Sequence, residues 1–272
     1  MSIEKINRFT RRPLTEDEVY TFSVILCDND IDRDMERFSD NALETLKDSF
    51  IGKTGISDHN ATADNQNARI FDAEVVTDTE RTTADGRPYK YLKGEAYMVR
   101  TDDNKNLIAE IDGGIKKEVS ISCSAAKRIC SVCGCERGAG GCAHQKGKSY
   151  GGKLCHDILD DITDAYEWSF VAVPAQVNAG VTKRFTEGER VYSTAPQRSA
   201  DGENELRRDI RRLAFFTGGR QMADMASLSA KGMDTEQLIA YKRSLEKHCR
   251  GGVSLQLEQD GEADSVDGFT IK

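Results

Sequence analysis

A histidine in a polar loop, a serine in a short strand and a carboxylate in a second strand are the groups in this chain best suited to nucleophilic chemistry. The histidine is His59, in Ser57-Asp58-His59-Asn60. The serine is Ser120, in Glu118-Val119-Ser120-Ile121-Ser122. The carboxylate belongs to the run from Asp164 to Ala175, an apolar strand that holds Glu167 and stops at Pro174, which has no N–H for a sheet ladder. A hydroxyl is a poor nucleophile at neutral pH, so it needs a base within hydrogen-bond reach and a third group that orients the base. Of the four histidines, His144 and His156 lie among cysteines and His248 lies in a helical stretch near the C-terminus. That leaves His59 as the base. Ser122 and Ser124 follow Ser120 on the same face of an ideal strand, so Ser122 is a rival nucleophile. Asp164 and Asp58 are rival acids, and a Cys123–His59 pair is a weaker thiol alternative.

A second constellation points to metal. Five of the eight cysteines fall between Cys130 and Cys155. Cys130-Ser131-Val132-Cys133 is a C-x-x-C knuckle, Cys142-Ala143-His144 supplies a second pair, and Cys155-His156 and Cys135 add further candidates. The expected site is a structural Zn²⁺ held by Cys130, Cys133, Cys142 and His144, with Cys155 the leading substitute for His144. Filled by four protein ligands, such an ion has no open position for chemistry. No cofactor is expected for catalysis. The segment is rich in glycine and poor in aliphatic residues, so metal would replace a hydrophobic core there. Cys27, Cys123 and Cys249 read as buried or incidental.

These groups must be positioned by a β-rich domain. Strands are expected over Val19–Leu26, Ala68–Val76, Lys90–Val99, Val119–Ser124, Ile158–Thr163 and Tyr166–Val173. One helix is expected from an Asp40 N-cap to about Phe50, another from about Asn104 to Asp112 before Gly113-Gly114. The domain spans residues 1–185, with 129–156 as its Cys-rich excursion. Residues 186–204 read as a linker and 205–272 as a helical tail with an acidic, disordered end. The tail is expected either to act as a docking element or to pack on the domain.

Composition narrows the function classes. The 272 residues carry a formal charge of −8, which argues against a nucleic-acid-coating protein and against a zinc-ribbon nucleic-acid binder. No signal peptide or membrane-crossing apolar run is present in the sequence, and the cysteines cluster as metal ligands do in a reducing compartment, so a cytoplasmic location is expected.

The order His59, Ser120, Glu167 and the run from Glu167 to Ala175 resemble the prohead (capsid maturation) serine proteases of tailed phages. The resemblance covers roughly Tyr20 to Arg184. It implies Ser120 as nucleophile, His59 as base and Glu167 as orienting acid. It also implies an α+β fold with a small closed β-barrel flanked by helices, similar to herpesvirus assemblin. The activity implied is cleavage of the phage scaffold and major capsid protein, and of the enzyme itself, inside the procapsid in the host cytoplasm, with homodimerisation. Ser122 stands where the family commonly has glycine, and the Cys-rich excursion departs from its simplest members. The alternative is a catalytically inactive, zinc-stabilised assembly or scaffold-like protein on the same fold.

Overall fold

The structure is a computed structural model that describes residues 2–138, 141–182 and 202–251. In chain order its elements are α1 (Ser2–Ile6), β1 (Val19–Asp28), β2 (Glu36–Phe38), α2 (Asp40–Phe50), β3 (Thr54–Ser57), β4 (Ala68–Thr82), β5 (Pro88–Val99), α3 (Lys105–Asp112), β6 (Val119–Cys130), β7 (Ser149–Tyr150), β8 (Lys153–Leu154), β9 (Asp157–Phe170), β10 (Gly180–Val181), α4 (Gly202–Ala230) and α5 (Thr235–Gly251). Most of the expected linker, all of the acidic end and the side chain of Cys249 lie outside the described residues.

Eight strands form one mixed sheet in the order β10-β1-β5-β4-β3-β9-β2, with β6 paired to β9. The closed barrel expected from the resemblance is therefore corrected. The ladder runs out at β10 and β2, and β6 meets β10 only through an isolated Glu118–Gly180 bridge. One bridge does not make a continuous edge-to-edge ladder, so the sheet is an open α+β arrangement.

Long strands organise this sheet. The two segments expected around Thr163 are one strand, β9, which carries β6 along one edge. Its other edge is shared by β2 at Asp157–Leu159 and β3 at Trp168–Phe170, both parallel to it. Inside lie Phe22, Leu26, Leu43, Leu46, Phe50, Ile70, Leu92 and Trp168, all nearly inaccessible to water. Helix α2 seals this core with Ala42, Leu43, Leu46 and Phe50. Its N-cap is Ser39 rather than Asp40, because Ser39 Oγ accepts the Ala42 N–H at 2.9 Å. Asp40 instead sits in the first turn, where the helix dipole favours a negative charge.

Gly55 fixes the most consequential pairing. It lies opposite Trp168 in the β3–β9 register, and a Cβ there would fall 2.2 Å from the indole. Only a residue without a side chain lets the largest aromatic of the core lie across β3.

The C-terminal helices share a second core with the sheet domain. Leu206, Ile210 and Leu213 of α4 and Leu238 and Leu245 of α5 bury against Ile31, Met35 and Val173. Charged groups are buried at the same junction. Lys242 Nζ is 2.8 Å from Asp34 Oδ1, and Arg33 Nε is 3.0 Å from Asp209 Oδ2. No helix among the described residues is long and apolar enough to cross a membrane.

Candidate active site and metal centre

Three adjacent strands bring the expected reactive groups together. The chain leaves β3 at Ser57, beside Phe170 of β9, and Asp58 N–H donates to the Phe170 carbonyl at 2.9 Å. His59 follows at once. Asp58 and His59 both have left-handed backbones, with φ of 54° and 53°. Such conformations cost on the order of 1–3 kcal/mol each and persist only where surrounding contacts enforce them. On the far edge of β9, Ser120 pairs with Ser169 and Ser122 with Glu167. Cross-strand partners share a face, so these four side chains project to the side on which His59 lies. β-Bulges interrupt the register immediately after Ser122 and again after Ser124. Ser124 thus bonds the Tyr166 hydroxyl at 2.6 Å instead of extending the row toward His59.

His59 Nδ1 donates to Glu167 Oε1 at 2.7 Å. An ionised carboxylate only accepts, so this bond places the imidazole proton on Nδ1 and leaves Nε2 free as a base. Ser169 Oγ donates to the other carboxylate oxygen at 2.6 Å and accepts the His59 backbone N–H at 3.0 Å. Ser122 Oγ lies 3.1 Å from Nδ1 and also bonds Glu167. Burial pushes the Glu167 carboxyl up, but His59, Ser122 and Ser169 outweigh it and hold the group below the ordinary carboxylate range.

The rival residues are placed elsewhere. Asp164 is exposed and reaches Lys53 at 3.4 Å. Asp58 is exposed at the rim of the cleft. Burial pushes the Cys123 thiol up to about 12, which leaves almost no thiolate at neutral pH. Ser122 is engaged on the Nδ1 side of the ring, whereas Ser120 has no hydrogen bond to His59 and stands free in the cleft.

That cleft has a volume of about 740 Å³ and runs between the end of the sheet and the C-terminal helices. His59, Ser120 and Val171 line one wall, and Leu213, Phe216 and Arg243 line the other. Sequence reasoning missed Ser169 and treated Ser122 only as a rival nucleophile. The signal was present for Ser169, two residues beyond Glu167 and so on the same strand face.

The second constellation closes the other end of the same hairpin. Cys130 ends β6 and pairs with Asp157, the first residue of β9, so the Cys-rich excursion is the loop that joins them. Ligand atoms of Cys130, Cys133, Cys142 and His144 all lie within 4.8 Å of one another, so this cluster could hold a metal ion. Ligands at about 2.3 Å from a tetrahedral ion stand about 3.8 Å apart, and Cys130 Sγ is 3.8 Å from His144 Nδ1. Burial raises the Cys130 thiol, but N–H groups of Cys133 and Val132 and the neighbouring thiols bring it down to about 6. Cys155 is 3.9 Å from Cys130 but outside the four-ligand group; burial raises its thiol to about 11, and Arg137 donates to its sulfur. Cys135 is exposed and apart from the group. Cys130 is ten residues along β6 from Ser120, about 30 Å at strand rise. An ion there cannot touch the reacting atoms.

The chain matches no protein-family model, no curated protein and no solved structure.

Proposed function

We propose that this protein is a serine endopeptidase in which Ser120 attacks, His59 is the general base and Glu167 orients the base. The bond from His59 Nδ1 to Glu167, with Ser120 on the neighbouring strand of the same cleft, is the observation that carries this reading. Ser120 Oγ adds to the carbonyl carbon of the scissile peptide as its proton passes to His59 Nε2. The imidazolium, held by Glu167, then gives that proton to the leaving amine as the C–N bond breaks. Water attacks the acyl-serine by the same route, His59 taking its proton and returning it to Ser120. Glu167 stays ionised throughout, because three donors stabilise its charge.

The cleft, about 740 Å³ in volume, is lined by apolar residues such as Val171, Leu213 and Phe216 together with charged ones such as Glu36 and Arg243, a mixture that suits a peptide segment. Following the resemblance, the substrates proposed are a phage scaffold and major capsid protein, with self-cleavage, inside a procapsid in the host cytoplasm. A homodimer belongs to the same proposal. The metal proposed for the Cys130–Cys133–Cys142–His144 cluster is Zn²⁺ in a structural role, for which thiolate and imidazole donors are suited.

Intact mass spectrometry on wild type and Ser120→Ala, each expressed with the capsid and scaffold proteins, tests the reading. Defined truncations in the wild type that vanish in the variant are expected. Identical uncleaved masses from folded protein would favour the zinc-stabilised, inactive assembly protein instead.

A further inference from the structure

Ser169 is wholly buried and sits between the base and its acid. Its single hydroxyl makes two bonds. It donates to Glu167 Oε2 at 2.6 Å and accepts the His59 backbone N–H at 3.0 Å. Glu167 Oε1 in turn accepts from His59 Nδ1 at 2.7 Å. The result is a closed ring that passes through the backbone of the histidine, the serine hydroxyl, the carboxylate and the imidazole. Ser169 is also the cross-strand partner of Ser120, so the same residue borders the nucleophile.

We propose that Ser169 is a positioning residue of this site, setting the separation and orientation of His59 and Glu167; the inference rests on the serine-endopeptidase reading. The imidazole has two ways to drift. Its backbone can relax from the left-handed conformation at φ 53°, or its carboxylate partner can rotate. One hydroxyl opposes both motions, and no water reaches it to take over the task. Removing the oxygen leaves Glu167 Oε2 short of a donor and the His59 N–H without its acceptor. Ser122 reaches the imidazole at Nδ1, whereas the His59 backbone N–H is held by Ser169, so the loop is fixed through Ser169.

The test is labelling with a fluorophosphonate, which forms an Oγ–P bond at an activated serine, releases fluoride and passes the hydroxyl proton to the base. Wild type, Ser169→Ala, Ser169→Thr and Ser120→Ala are compared at rising probe concentration, together with the downfield Nδ1 proton signal of His59. Misplacing a catalytic group by about 1 Å costs up to about 100-fold. Ser169→Ala is expected to lower the maximal labelling rate by about 10- to 100-fold at unchanged half-saturation and to lose the downfield signal. Ser169→Thr, which keeps the hydroxyl in a strand, is expected to recover both. Should Ser169→Ala not fold, Ser169→Cys keeps the volume with only a weak donor and is expected to be as slow. A Ser169→Ala protein that labels at the wild-type rate, or a Ser169→Thr protein as slow as Ser169→Ala, would overturn the positioning role. Wild type that fails to label while keeping the downfield signal would instead overturn the protease reading, and the Nδ1 signal alone would then judge Ser169.

Discussion

Glu167 keeps its charge in a buried strand only because donors surround it. Its shift is therefore a stability statement. A carboxyl depressed below its unfolded value contributes stability that is fully present above the ordinary carboxylate range and is lost as pH falls through the folded value. Glu167→Gln, which no longer titrates, should lose less stability than wild type between about pH 5 and pH 2, read from urea midpoints across that range. The same substitution removes the acceptor that selects the Nδ1–H tautomer, and about 10⁴-fold of the cleavage rate should go with it. Ser120→Ala and His59→Ala should each be as damaging, and combining them should add little, since the proposed triad would act as one unit. If Ser122→Ala abolished fluorophosphonate labelling while Ser120→Ala did not, the roles of the two serines would be reversed.

At the scale of elements, the position of His59 depends on how β3 lies along β9. Gly55 allows the Trp168 ring to pass over β3, and the loop bearing His59 begins at Asp58, three residues after Gly55. Gly55→Ala would drive a methyl into the indole, at a cost of about 1–3 kcal/mol for overpacking. Proteolysis should fall along with the thermal midpoint, since the shifted strand carries His59 away from Glu167. The β6–β9 hairpin separates two tasks by distance. One end holds Ser120 and Glu167, the proposed catalytic groups, and the far end holds the cysteine cluster. A Cys130→Ser/Cys133→Ser protein should lose stoichiometric zinc by elemental analysis and melt at lower temperature, yet still label at Ser120. Loss of labelling in a folded, metal-free protein would show that the hairpin does not insulate its ends.

For the whole molecule, the junction between the sheet and the C-terminal helices is decided by buried charge as well as apolar contact. Lys242 is inaccessible to water and pairs with Asp34, while Arg243 and Lys146 converge on Asp34 and Glu36. Removing one member of a buried pair strands the other, at about 3–5 kcal/mol. Asp34→Ala should lower stability by that amount in chemical denaturation, whereas Arg211→Ala, at an exposed pair with Asp224, should change it by less than about 1 kcal/mol. Burial pushes Asp34 up, but Lys242, Arg243 and Lys146 bring it below its ordinary value; Lys242, also buried, is raised above its own by Asp34 and Glu246. The pair's contribution thus lasts from the low carboxylate value of Asp34 to beyond the ordinary lysine range. Asp32 beside them works in the opposite sense, since burial and the charges of Asp34 and Glu36 raise it; its contribution is lost as pH rises through that raised value.

Local patterning was enough to place the long strands β1, β4, β5, β6 and β9 and the helices after α1, because alternation and helical spacing report which face is buried; the short strands β2, β3, β7, β8 and β10 carry too few residues to show it. The resemblance to the prohead proteases, laid over the order His, Ser, acid, singled out His59, Ser120 and Glu167, and the C-x-x-C and C-x-H spacings singled out the cysteine cluster. What the sequence could not decide was pairing between distant segments. The union of two segments into β9 and the open sheet in place of a closed barrel depend on hydrogen bonds between residues far apart in the chain. The same holds for the separation of Ser122 from Ser120 and the engagement of Ser169. Both follow from the register that sets Ser120 opposite Ser169 and Ser122 opposite Glu167, which exists only once β6 lies on β9. Residue types determined which chemistry was available to this protein; tertiary structure decided which hydroxyl is held by the carboxylate and which is left free in the cleft.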